Sequence, residues 1–131
     1  MKEAYKQAEL AFEDGEIPIG AVIVCQDRII AKAYNQVERL NDATAHAEMI
    51  AITSASNFLQ SKYLDECTLY VTLEPCKMCS GAISNAHIKN VKFGAFDNSK
   101  DPLSDHFVKF GGIMEQECQA LIDEFFNNLR A

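Results

Sequence analysis

Apolar positions along the chain change their spacing several times, and each change marks an element. Ala4, Ala8, Ala11 and Phe12 recur at helical spacing up to Gly15, predicting an opening helix. Ile19 to Cys25 is a β-branched run, Gln26-Asp27-Arg28 a turn, and Ile29 to Tyr34 a second run, predicting a hairpin. Gln36 to Thr44 is polar and reads as a loop. A helix is expected from about Ala45 to Asn57, with Ile50, Ala51 and Ser54 on one face. Thr68 to Leu73 alternates as a strand. Pro75 suits the first position of a helix running to about Ala86, and Asn90 to Ala95 is a further strand. A loop from Asp97 to Asp105 leads to a short strand at Phe107 to Phe110, and Gly111-Gly112 breaks the chain. The last helix is the clearest, with Cys118, Leu121, Ile122, Phe125, Phe126 and Leu129 forming one stripe.

The strand–helix–strand unit from Thr68 to Ala95 implies parallel strands joined by a right-handed crossover, whereas the opening hairpin is antiparallel. These predict an α/β fold, a mixed sheet of about five strands sandwiched by helices. The 131 residues, 48% hydrophobic and 24% charged, suit one domain spanning 1–131 with a core of its own. No apolar run approaches the ~18 residues of a membrane span. The start, Met1 to Lys6, opens an amphipathic pattern without an apolar signal core, so a cytoplasmic protein is expected.

The net charge of −7 argues against broad, sequence-independent nucleic-acid binding. Only the stretch 81–110 leans positive, with Lys89, Lys92, Lys100 and Lys109 against Asp97, Asp101 and Asp105. An anion would be sought there first.

Five cysteines, an odd number, argue against a disulfide framework. Cys25, Cys67 and Cys118 lie in apolar patterns and read as buried small hydrophobes, and His87 and His106 lack ligand spacing. Cys76-Lys77-Met78-Cys79 differs. Alone it is either a redox pair or half of a structural zinc site, but no second Cys pair completes the latter. Beside it stands Thr44-Ala45-His46-Ala47-Glu48. Zinc takes nitrogen and sulfur ligands, and catalytic zinc usually has three from the protein. Cys76 and Cys79, three apart in a first helical turn, offer two thiolates favoured by the helix dipole, and His46 offers the third ligand. His46 and Glu48 are two apart and diverge along a helix wall. The spacing makes sense when the metal is met end-on, at the helix start. Glu48 then lies beside a water acidified by the metal and can move its proton.

His46-Ala47-Glu48 with Pro75-Cys76-Lys77-Met78-Cys79 resembles the signature of the cytidine-deaminase-like zinc deaminases. Within that superfamily the chain most resembles the bacterial tRNA-specific adenosine deaminases. The resemblance runs through Ile17-Pro18-Ile19-Gly20-Ala21-Val22, Asn35 after the second strand, Leu69 to Cys76, Phe93-Gly94-Ala95-Phe96-Asp97, and Phe125-Phe126 with Arg130. It implies a three-layer α/β/α sandwich, a homodimer with the helical face after the Cys motif in its interface, and one Zn2+ per chain held by His46, Cys76 and Cys79. It also implies that Glu48 shuttles protons while a zinc-activated water attacks C6 of a flipped-out adenine in the tRNA anticodon loop, giving inosine at the wobble position. Asn35 either contacts the base or shapes the turn. Ala47 contributes a backbone contact. Glu74 contributes another or is helix-end structure, and Asp97 either meets the nucleotide or is a turn aspartate. The basic stretch Lys89 to Lys109 is expected to follow the flanking phosphates.

The chain departs from the family's pattern in carrying Phe96 where a basic residue is common, in a shorter segment after Asp97 and in lacking a basic tail. These departures bear on the grip on RNA. The rival readings are a deaminase of a free base or nucleoside (guanine, cytosine or cytidine), a zinc-bearing partner subunit, and a Cys-x-x-Cys redox protein. Ala47 and Glu74 stand where cytosine deaminases tend to have Gly and Ser, and the intact Glu48 disfavours an inactive partner.

Overall fold

The structure, a computed structural model, describes residues 1–97 and 107–130. Lys100, His106 and most of the loop expected after Asp97 lie outside the described residues. In chain order the elements are α1 (Lys2–Glu13), β1 (Gly20–Cys25), β2 (Arg28–Tyr34), α2 (Val37–Leu40), α3 (Ala47–Leu59), β3 (Cys67–Leu73), α4 (Lys77–Asn85), β4 (Asn90–Ala95), β5 (Val108–Phe110) and α5 (Glu115–Arg130).

The five strands form one mixed sheet in the order β2-β1-β3-β4-β5. β1 runs antiparallel to β2 and β3, while β3, β4 and β5 are mutually parallel. Gln26 and Asp27 both have positive φ, 52° and 63°, as a two-residue turn between twisted strands requires. Helices cover both faces of the sheet, giving the expected three-layer α/β/α sandwich. α1 and α5 touch each other and the sheet on one side, and α3 and α4 touch each other on the other.

Small residues set how closely the layers approach. A Cβ on Gly20 would lie 2.1 Å from the Ala4 carbonyl oxygen and 2.4 Å from the Ala8 nitrogen, so α1 rests directly on β1. Gly94 similarly admits the Cys118 side chain of α5. On the opposite face Ala47, Ala51 and Ala55 are fully buried and bring α3 down onto β1 and β2.

Several expectations change in detail. The polar stretch Gln36 to Thr44 contains a short helix, α2, begun by backbone bonds to a buried carboxylate from another element. On α3 the buried face is Ala47, Glu48, Ala51 and Ala55; Ile50 is half-buried and Ser54 exposed. Apolarity alone misplaces that face, because a helix packed this close to a sheet turns inward its smallest side chains. Pro75 precedes α4 rather than opening it, and Cys76 is the N-cap. The stripe of α5 is buried only at Cys118 and Ile122; Phe126 and Leu129 are exposed. A 16-residue helix is about 24 Å long and overshoots strands of 6 residues, about 20 Å. Cys67 and Cys118 are buried as expected and Cys25 is half-buried.

Gly20→Ala is expected to destabilise by about 3 kcal/mol, since backbone rather than a flexible side chain blocks the new methyl. Gly81→Ala, inside α4 with nothing within 4 Å of the new Cβ, is expected to stabilise by about 0.5–1 kcal/mol. Denaturant unfolding of the two variants checks both signs.

Candidate metal centre and substrate cavity

One end of the sheet gathers the candidate metal ligands, Glu48 and Asn35. The start of β1, the end of β2 and the ends of β3 and β4 meet there. Gly20 pairs with Tyr34, its N–H donates to Thr72 Oγ1 at 3.1 Å, and Leu73 pairs with Ala95. Carboxyl ends of neighbouring parallel strands are a common place for ligands in open α/β sheets. From β2 the chain passes Asn35, whose N–H donates to the Ile19 carbonyl, and reaches α3.

His46 is the N-cap of α3 and Cys76 the N-cap of α4. Both have extended φ/ψ, −73°/153° and −72°/175°, and neither side chain makes a capping hydrogen bond. The two side chains turn towards each other instead. His46 Nδ1 lies 3.6 Å from Cys76 Sγ and 3.5 Å from Cys79 Sγ, Cys79 being the third residue of α4. Bond lengths of 2.0–2.1 Å to nitrogen and about 2.3 Å to sulfur put adjacent donors of a tetrahedral zinc site about 3.6 Å apart. The donor set and its spacing therefore fit a zinc ion. Among the described residues this is the one group of three or more His, Cys, Asp or Glu ligand atoms close enough to share a metal.

The two sulfurs interact with each other. The hydrogen bond from Cys79 is the largest influence pulling the Cys76 thiol down to about 5, with His46 assisting. That bond, followed by burial, raises Cys79. Glu48, the second residue of α3, is 3% exposed, and burial pushes its carboxyl up to about 7. It also hydrogen-bonds the Cys79 thiol. A cation at the three ligands would favour both thiolates and the Glu48 carboxylate.

Beside this group opens a cavity of about 510 Å³, lined by Glu16, Asn35, His46 and apolar residues that include Val37, Phe125 and Phe126. Asn35 is 4% exposed, and its Oδ1 has no hydrogen-bond partner. The structure thus brings Asn35 to the mouth of the metal group. Ala47 is buried in the first turn of α3, and neither it nor Asp97 lines this cavity. Asp97 stands just beyond β4, its backbone N–H bonded to Glu74 Oε1 at 3.2 Å. Glu74 Oε2 takes the half-buried Lys109 ammonium at 2.9 Å, so Lys109 is engaged by the protein itself. Lys92 lies over the Tyr70 ring. Lys89 precedes β4, at the opposite end of the sheet, roughly 20 Å along the strand from the site. The basic stretch is therefore not one face beside the cavity. Phe96 packs edge-on against Phe93 and is 45% exposed.

Sequence reasoning missed Glu16. Its buried carboxylate accepts the N–H groups of Glu38 and Arg39 at 3.0 and 2.8 Å, seating α2 at the cavity wall. No local pattern announces this, because the partners are more than twenty residues away.

Comparison with known proteins places these features in context. The family model for the cytidine and deoxycytidylate deaminase zinc-binding region matches residues 1–95. A tRNA-specific adenosine deaminase of Aquifex aeolicus is 45% identical over 99% of this chain and 93% of its own length. A solved structure from work on A-to-I editing by tRNA:A34 deaminases at the wobble position has a TM-score of 0.86 at 38% identity, covering 92% of this chain and 96% of that one. The guanine deaminase of Bacillus subtilis has a TM-score of 0.70 at 35% identity, covering 96% and 90%.

In metal-free protein at pH 6, Cys76 is expected to be mostly thiolate and to alkylate with iodoacetamide, while Cys67, pushed up to about 12, and Cys118, pushed up to about 11, stay unmodified. Added Zn2+ should suppress the Cys76 reaction. Peptide mass mapping across a pH series reads both effects.

Proposed function

The chain belongs to the cytidine and deoxycytidylate deaminase zinc-binding family, and from that premise we propose that it deaminates adenosine to inosine in tRNA, at the anticodon wobble position. The observation that carries this reading is the joint placement of the His46, Cys76 and Cys79 group, buried Glu48, and a cavity whose wall holds the unsatisfied Asn35 Oδ1. His46, Cys76 and Cys79 would hold one Zn2+, which would supply a Lewis acid able to acidify water at neutral pH.

An adenine inside a stacked helix is out of reach, so a loop nucleotide is extruded into the cavity. Asn35 hydrogen-bonds the nucleotide and fixes its rotation, and the apolar wall with Phe125 and Phe126 excludes water from the base. Glu48 accepts a proton from the attacking water and passes it to the ring nitrogen beside C6 as the C–O bond forms. It then protonates the amino group, the C–N bond breaks, and ammonia leaves. Adenosine and water give inosine and ammonia. Ala47, directly between His46 and Glu48, offers its backbone near the reacting amine, and Asp97, outside the cavity lining, meets the nucleotide beyond the extruded base.

A second reading, deamination of free guanine, is favoured by the likeness to the Bacillus subtilis enzyme. The same assay separates the two. An acidic chain whose Lys109 is internally paired relies less on phosphate neutralisation than on the cavity. Among the described residues no helix is long and apolar enough to cross a membrane, which suits a cytoplasmic enzyme. The exposed Leu40, Phe58, Leu59 and Tyr63 support a homodimer, which gel filtration tests.

Purified protein supplied with an anticodon stem-loop, free adenosine, guanine or cytosine is expected to release ammonia from the RNA alone. Release from guanine alone overturns the tRNA assignment. Glu48→Gln should keep zinc and lose at least about 100-fold in kcat, and His46→Ala should lose zinc. Asn35→Ala should lower kcat/KM roughly 10- to 100-fold, the worth of a buried hydrogen bond. Retained turnover in Glu48→Gln overturns its role as proton shuttle.

A further inference from the structure

Glu74 sits between the end of β3 and the N-cap of α4, two residues before Cys76. Its backbone N–H donates to the Ala95 carbonyl of β4 at 2.9 Å. Its carboxylate is shared between two further elements. Oε1 accepts the Asp97 N–H just after β4, and Oε2 accepts the Lys109 ammonium from the middle of β5. The pair is shielded, with side-chain exposures of 14% for Glu74 and 25% for Lys109. A shielded, charge-assisted bond of this length is stronger than a surface ion pair.

One side chain thus joins the turn carrying Cys76 to the residues on either side of the β4–β5 connection. A brace for the sheet alone would need only the backbone ladder, which already pairs Leu73 with Ala95 and Lys92 with Phe110. The Asp97 bond lies beyond that ladder, at the end of the sheet where the metal group stands, whereas Lys109 sits within it, opposite Val91, and reaches Glu74 with its side chain. Resting on the tRNA reading above, we propose that Glu74 is a positioning residue. Its carboxylate, drawn to Lys109, fixes Asp97 relative to the turn that carries Cys76 and so sets the grip on the RNA substrate rather than the chemistry at C6.

The test uses full-length zinc-loaded protein with Glu74→Gln, Lys109→Met and Lys109→Arg. Glu74→Gln keeps an acceptor oxygen and removes the charge; Lys109→Met removes the partner; Lys109→Arg restores it. Zinc content is expected to match wild type in all three. KM for the anticodon stem-loop should rise roughly tenfold in Glu74→Gln and Lys109→Met, the scale of one charge-assisted hydrogen bond, with kcat within about twofold. Lys109→Arg should return KM to the wild-type range.

Hydrogen exchange at the Asp97 amide gives a readout that needs no turnover. It should quicken at least roughly tenfold in folded Glu74→Ala, or, where the alanine variant fails to fold, in folded Glu74→Gln, as its acceptor is lost or weakened. Unchanged KM, a fall in kcat at constant KM, failure of Lys109→Arg to rescue, or unchanged Asp97 exchange overturns the proposal. If wild type leaves the RNA untouched, the tRNA reading fails, and Asp97 exchange still decides whether the clamp exists.

Discussion

Two helices begin at the same point, and each offers its first side chain to the other instead of to its own backbone. His46 and Cys76 occupy N-cap positions whose usual occupants satisfy free amide groups, a service worth about 1 kcal/mol per helix. Here that service is forgone. The imidazole nitrogen stands from each sulfur at the distance a tetrahedral zinc ion requires. The hydrogen bond from Cys79, with His46 assisting, holds the Cys76 thiol well below its ordinary range even before a cation binds. A bound cation would add to folding stability as well as to chemistry, because the ligands come from two elements thirty residues apart.

This convergence requires the layers to be thin and exact in depth. Gly20 lets α1 touch β1, Gly94 lets α5 reach β4, and the stripe Ala47, Ala51, Ala55 lets α3 settle on β1 and β2. A helix held higher by leucines would lift His46 away from Cys76 by more than the few tenths of an ångström that a metal site tolerates. The alanine stripe of α3 therefore places the same helix whose first turn carries Glu48. Packing and catalytic geometry are one constraint along this helix.

Strands with β-branched runs, the hairpin turn and the crossover from β3 to β4 were legible because each rests on local chemistry or on chain handedness. The metal group was legible too, since only an end-on approach reconciles His46 and Glu48 two residues apart. What local pattern could not convey depends on distance. The inward face of α3 follows from the depth of the sheet, so Ile50 and Ser54 misled where Ala47 and Ala55 decided. Glu16 and Glu74 act on partners at least twenty residues away. The lysines that looked like one basic stretch are dispersed by the strand they share: Lys89 lies at one end of β4, Lys92 lies over Tyr70, and Lys109 is paired with Glu74.

That dispersal bears on how an acidic chain could hold RNA. Phosphate neutralisation scales with the number of free cations near the backbone, and the described part of this end of the sheet presents few. Extruding a base costs a few kcal/mol, least in a loop that is already unstacked. An apolar cavity with one buried acceptor waiting at Asn35 can offset that cost only for a ring that fills it and carries a donor at the right place. On the proposed reading, discrimination rests on how the extruded nucleotide fits this cavity rather than on phosphate neutralisation.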